Sequence, residues 1–194
     1  HALDRDSLTT KRSDLERLDL QLLAMVDQAR GTLTQQGIRT EEKFLIQGYS
    51  ASGMFANRFA LLHPTRVKAV AVGSPGGWPI APAPMFGGEA LPYPAGTADF
   101  ETLTGKPFDS ESFKSVPQLI VMGSVDDNDS LDFRDGWDEA PAGLVDRLFG
   151  KDPQARWKHS ENVYKSAGTN AHFLLVDGVA HDRKALQSYS TDFF

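Results

Sequence analysis

The apolar run Phe44-Leu45-Ile46 passes through Gly48-Tyr49-Ser50-Ala51-Ser52-Gly53 and straight into the helical pattern Met54-Phe55…Phe59…Leu62. A strand that meets a tight turn of small residues and then a helix belongs to few architectures. A corner this sharp holds the Ser50 side chain out from the backbone, and the N–H of the next residue points into the same space. Whether chemistry follows depends on what stands at the ends of the other strands.

The rest of the chain alternates in the same way. Leu15, Leu18, Leu22, Val26, Ala29 and Leu33 recur at helical spacing. Ser13 and Glu16 have the spacing of a capping box at the start of that helix; Gly31 interrupts the pattern and Gly37 ends it. Strands are expected at 43–47, 67–72, 119–122 and 171–176, and helices at 52–63, 142–149, 153–167 and 183–189. Strands separated by helices imply parallel βαβ units, hence an α/β fold with a mostly parallel sheet and flanking helices. Between Pro75 and Pro107 lie seven of the eleven prolines, with Trp78, Phe86, Tyr93 and Phe100 among them. So many prolines forbid a long helix or a central strand, and so many aromatics argue against a disordered linker. The reading is one domain over 1–194 with an ordered Pro/aromatic-rich excursion at about 75–116.

Composition removes several classes of function. A formal net charge of −6 argues against a nucleic-acid surface, and no apolar run is long enough to span a bilayer. Zero cysteines exclude thiol nucleophiles, disulfides and thiolate metal sites. No two histidines stand at a helical metal-ligand spacing beside a carboxylate, so no metal is expected. Gly73-Ser74-Pro75-Gly76-Gly77 lacks the spacing of a phosphate loop and reads as a turn out of a strand. The chain begins with His1, and neither compartment nor oligomeric state follows from the residues.

A serine hydroxyl becomes a nucleophile only beside a base, and that base needs a carboxylate to orient it. In an open parallel sheet such groups gather past the carboxyl ends of the strands. The first expected strand leads to Ser50, the third to Gly123-Ser124-Val125-Asp126 and the fourth to Asp177-Gly178-Val179-Ala180-His181. Other readings stand beside this one. Ser50 could cap the following helix, and Asp127 and Asp129 are carboxylates in the same turn as Asp126. The cluster Asp126–Asp129 fails the alternation of a calcium loop. His63 is expected to meet the last carbonyls of its helix, His159 lies in a polar helical stretch, and His172 opens a strand. Trp78 and its aromatic neighbours either pack a loop onto the sheet or form an apolar wall for an acyl or aromatic group.

The order Ser…Asp…His together with the Gly48-x-Ser50-x-Ser52 corner resembles the α/β-hydrolase family, above all its serine esterases, polyester depolymerases and lipase-like members. The resemblance runs from about Leu18 to His181. It implies that Ser50 is the nucleophile, His181 the general base and then acid, and Asp126 its orienting partner. It also implies that the N–H of Ala51 is an oxyanion donor, with Tyr49 and Trp78 as weaker candidates for substrate contact. No cofactor is implied, and the substrate would be a small-molecule or polymeric ester. Peptidases and acyltransferases with the same three side chains, and non-catalytic binding proteins of the same fold, remain alternatives. The family's sheet usually has about eight strands, with the second oxyanion donor upstream of the nucleophile strand. Four strands are legible here, so the chain reads as the C-terminal part of such a domain. By itself it is expected to be weakly active and, with an open strand edge, prone to aggregate.

Overall fold

In the computed structural model, which describes residues 2–11 and 14–194, the first described residues form a buried strap. Ala2 and Leu3 are buried, and the Ala2 carbonyl accepts from Nη1 of Arg58 at 2.9 Å. Helix α1 (Arg5–Thr9) follows, capped by Asp4, which accepts the Ser7 N–H at 2.8 Å. The capping box expected at Ser13 lies outside the described residues.

Helix α2 (Leu18–Gln35) starts one turn later than the periodicity suggests and runs through Gly31 unbroken. It stops at Gly37, whose positive φ lets the Gly37 and Ile38 N–H groups reach back to Thr34 and Leu33. Then come β1 (Phe44–Tyr49), α3 (Ala51–Leu62), a 3-10 turn and β2 (Val67–Gly73). The proline-rich excursion holds a two-residue hairpin, β3 (Met85–Phe86) and β4 (Glu89–Ala90), followed by the short helices α4 (Phe100–Thr104) and α5 (Ser110–Ser115). The chain closes with β5 (Gln118–Gly123), α6 (Glu139–Phe149), α7 (Pro153–Ser166), β6 (Ala171–Val176) and α8 (Arg183–Asp192).

The main sheet has the order β1-β2-β5-β6, with all three pairings parallel. Tyr49 pairs with Gly73, Gly73 with Val121, and Gly123 with Val176, so the carboxyl ends of the strands form one rim. One face of the sheet carries Val70, Val72, Ile120 and Met122 into a large cluster with Ala56, Phe59 and Ala60 of α3 and Trp157 and Tyr164 of α7. The other face carries Ala71, Leu119 and Val121 against Leu186 of α8. The edge strands β1 and β6 consist of exposed and half-buried residues apart from the buried Gly48.

The excursion supplies core, not cover alone. Ile80, Tyr93 and Phe100 join the main cluster, and Trp78, Ala81, Leu91 and Ala95 join a second one with Phe149 and Trp137. Prolines limit regular pairing there to the short β3–β4 hairpin, so apolar burial and scattered backbone and side-chain bonds fix the rest of the path. Asn57 in α3 accepts the Ile80 N–H at 2.8 Å, and the Tyr164 hydroxyl donates to the Ile80 carbonyl at 2.9 Å.

His63 differs from expectation. Its Nε2 lies 2.7 Å from Oδ2 of Asp19 in α2 rather than on the carbonyls of its own helix. Asp19 is fully buried, and a buried carboxylate must be met by donors. Arg17 supplies two more, from Nε at 2.9 Å and Nη2 at 2.7 Å. Burial by itself would push the Asp19 carboxyl up; the bonds from His63 and Arg17 outweigh it and hold the group far below the usual carboxylate range.

Candidate active site

Ser50 stands between β1 and α3 with φ 56° and ψ −125°, a conformation that a non-glycine residue adopts only under constraint. The constraint is visible on both sides. The Ser50 N–H donates to the Gly73 carbonyl at 2.9 Å, and the Ser50 carbonyl accepts from Met54 N–H at 2.9 Å. Ser52, where the resembled family more often has glycine, ties the corner from outside: its Oγ accepts the Tyr49 N–H at 2.9 Å and donates to the Tyr49 carbonyl at 2.8 Å. Gly48 has no alternative, because a Cβ there would sit 1.9 Å from the Ser52 carbonyl oxygen.

Ser50 occupies the N-cap position of α3, yet its side chain makes no capping bond. Its Oγ lies 3.0 Å from Nε2 of His181 instead. Across the ring, His181 Nδ1 is 3.1 and 3.0 Å from Oδ1 and Oδ2 of Asp126. An ionised carboxylate can only accept, so Nδ1 carries the proton and Nε2 is left bare to accept from the Ser50 hydroxyl. The structure thus brings Ser50, His181 and Asp126 into one chain of hydrogen bonds.

Asp126 is 1% exposed and also accepts the Asn128 N–H at 3.0 Å. The two other carboxylates of that turn are engaged differently. Asp127 points into solvent, while Asp129 accepts from Arg156 Nη1 at 2.7 Å and from the Leu131 N–H at 3.0 Å. Burial pushes the Asp129 carboxyl up in pKa, with Arg156 opposing. Arg156 is itself fully buried and reaches Asp146 in α6 through Nη2 at 2.6 Å.

The turns that carry Asp126 and His181 are fastened to each other. Val125 N–H donates to the Val179 carbonyl at 3.0 Å, and Ser124 Oγ accepts the Gly178 N–H at 2.8 Å. A Cβ on Gly123 would fall 2.0 Å from the Val179 oxygen, so only glycine lets these turns close. Gln154 of α7 adds a clasp from below, donating from Nε2 to the carbonyls of Gly123 at 3.1 Å and Asp126 at 2.8 Å. Neither Gln154 nor Ser124 announces itself in the sequence, because each acts on backbone atoms that only the fold brings near.

Of the two expected substrate contacts, Trp78 is buried and Tyr49 stands beside the imidazole. Trp78 is 1% exposed, stacked on Phe149 with its indole N–H on the Ala95 carbonyl; it packs the excursion and lines no open wall. Tyr49 lays its ring 4.9 Å from that of His181 and buries its hydroxyl, and that burial pushes its pKa up. It packs beside the imidazole and also lines an open pocket with Gln47, Ser52, Arg183 and Gln187. Ala51 is exposed in the first turn of α3, where helix N–H groups have no intrahelical acceptor and the dipole favours negative charge. Among the described residues no three His, Asp or Glu side chains gather to hold a metal ion, and no helix is long and apolar enough to cross a membrane.

No family model matches this chain, and no curated protein matches it in sequence. Solved structures do. Poly(aspartic acid) hydrolase-1 from Sphingomonas sp. KT-1 superposes with a TM-score of 0.57 at 21% identity, over 87% of this chain and 59% of that one. LpqC, a poly(3-hydroxybutyrate) depolymerase from Bordetella parapertussis, gives 0.59 at 21% identity, over 89% and 56%. The fold is a partial α/β-hydrolase fold, a four-stranded parallel sheet with flanking helices. This chain spans a little under three fifths of the length of these two relatives.

Proposed function

We propose that this chain carries the catalytic side chains of a serine hydrolase that cleaves carboxylic esters through an acyl-enzyme. The observation behind the reading is the 3.0 Å approach of Ser50 Oγ to a histidine already oriented by a buried carboxylate. Ser50 Oγ attacks the ester carbonyl while His181 Nε2 takes its proton, and Asp126 steadies the imidazolium. Negative charge develops on the carbonyl oxygen, and the Ala51 N–H is the donor placed to meet it; one such donor is typically worth about 100- to 1000-fold in turnover. The carbon–oxygen bond to the leaving alcohol then breaks, with His181 returning the proton to that oxygen. Water, deprotonated by His181, attacks the acyl-enzyme, and its collapse releases the acid and restores Ser50.

The same three side chains serve amide cleavage and acyl transfer, and the two relatives differ on this point by name, one acting on poly(aspartic acid) and one on poly(3-hydroxybutyrate). The ester reading is favoured because an alkoxide leaves more readily than an amine, so it demands less of the oxyanion site. A panel of p-nitrophenyl esters, oligomeric hydroxyacid esters, peptides and thioesters tests it. Ester hydrolysis falling at least about 1000-fold in Ser50→Ala is expected. Hydrolysis indifferent to that substitution, or none beside an active amide or transfer reaction, would overturn the assignment.

A further inference from the structure

We infer that Gln154 is a positioning residue for proton transfer: its side-chain amide holds the turn that aims Asp126, and through Asp126 it sets His181. The inference rests on the hydrolase reading above for its catalytic consequence, and on hydrogen bonds alone for its structural one. Both bonds leave the one amide nitrogen and land on the two ends of the turn, at the carbonyls of Gly123 and Asp126. The turn's own closure, from Asp126 N–H to the Gly123 carbonyl, is long at 3.2 Å. Gln154 therefore adds a second tie across the same turn, at 3.1 and 2.8 Å. The amide is also well placed to do so, because α7 is rigid at this end. Asp152 caps the helix by accepting the Ala155 N–H at 2.8 Å, and Arg156, two residues on, anchors to Asp129 and Asp146. A reacting group displaced by about 1 Å can lose about 100-fold in rate, so a clasp on the backbone behind the acid matters to catalysis without touching substrate.

Two variants of the whole protein separate donation from bulk. Gln154→Ala removes both, whereas Gln154→Glu keeps the shape but, ionised, turns oxygens without protons toward two carbonyl oxygens. In both, kcat on a p-nitrophenyl ester is expected to fall about 10- to 100-fold with KM changed by less than about twofold. The NMR resonance of the His181 Nδ1 proton, which needs no turnover, should move upfield or vanish in both at a temperature where each variant is folded by circular dichroism. If Gln154→Glu keeps the wild-type kcat and the wild-type resonance, the positioning role is wrong. A wild-type protein that cleaves no ester, but whose Nδ1 resonance is lost in both variants, would sink the hydrolase reading and leave the clasp standing.

Discussion

The two faces of the sheet are built to different depths. Under α3 and α7, Val70, Val72, Ile120 and Met122 meet Phe59, Trp157 and Tyr164 in the largest apolar cluster of the described residues, and Leu18, Leu22 and Leu23 of α2 lie against it. On the opposite face Ala71, Leu119 and Val121 share a smaller cluster with Leu186 of α8, edged by the partly buried Tyr49, Leu174, Val176, Val179 and Phe193, and Leu45 on the edge strand is 48% exposed. The three site residues divide between these supports. Ser50 heads α3 and Asp126 is clasped by α7, both on the deep side. His181 sits on the short turn between the edge strand β6 and α8, on the shallow side. In the proposed reaction the proton carrier is thus the site residue on the shallow side, its side chain 26% exposed against 1% for Asp126.

Substitutions on each side can break this contrast. Phe59→Ala should be the most damaging, costing about 3–5 kcal/mol of unfolding free energy, because a large ring leaves a cavity in the deep cluster. Asp19→Asn comes next: it strips a buried carboxylate from Arg17 and His63, for a loss of about 3 kcal/mol. That loss depends on pH. The folded-state pKa of Asp19 is depressed, so its contribution is complete above the unfolded carboxyl value of about 4 and fades as pH falls below it. Denaturant melts between pH 7 and pH 3 should show the wild type converging on Asp19→Asn, and parallel curves would refute the assignment. Leu186→Ala should cost least, about 2 kcal/mol, because the shallow face can give way around it. A loss equal to that of Phe59→Ala would abolish the distinction between the faces.

Which parts of the molecule could be read in advance follows the same division. Strands β2 and β5 are buried on both faces except at Lys68 near the start of β2, so their apolar runs place them to within a residue, and the corner at Ser50 is legible because small residues there are a steric necessity. The meeting of Ser50, Asp126 and His181 was legible as three strand ends, since a parallel sheet brings such ends to one rim. The apolar stripe of α2 misled about depth: Leu22 and Val26 are only half-buried, and the helix's one fully buried residue is Asp19. Buried charge is invisible to periodicity, and so is a partner such as His63 that is distant in sequence. The excursion from Pro75 onward gave no pattern because its path is fixed by side-chain bonds to Asn57 and Tyr164 and by burial of Trp78. The packing of the Tyr49 ring on His181 was not legible either, because the two residues meet only in the fold.

Activation of the Ser50 hydroxyl by His181 is the step on which the proposed chemistry depends. Intact-mass and peptide analysis after treatment with a fluorophosphonate probe tests this directly. One adduct, located on Ser50 in the wild type and absent in His181→Ala with the fold retained, is the expected result. An unlabelled Ser50 in the whole protein, or equal labelling without His181, would contradict it.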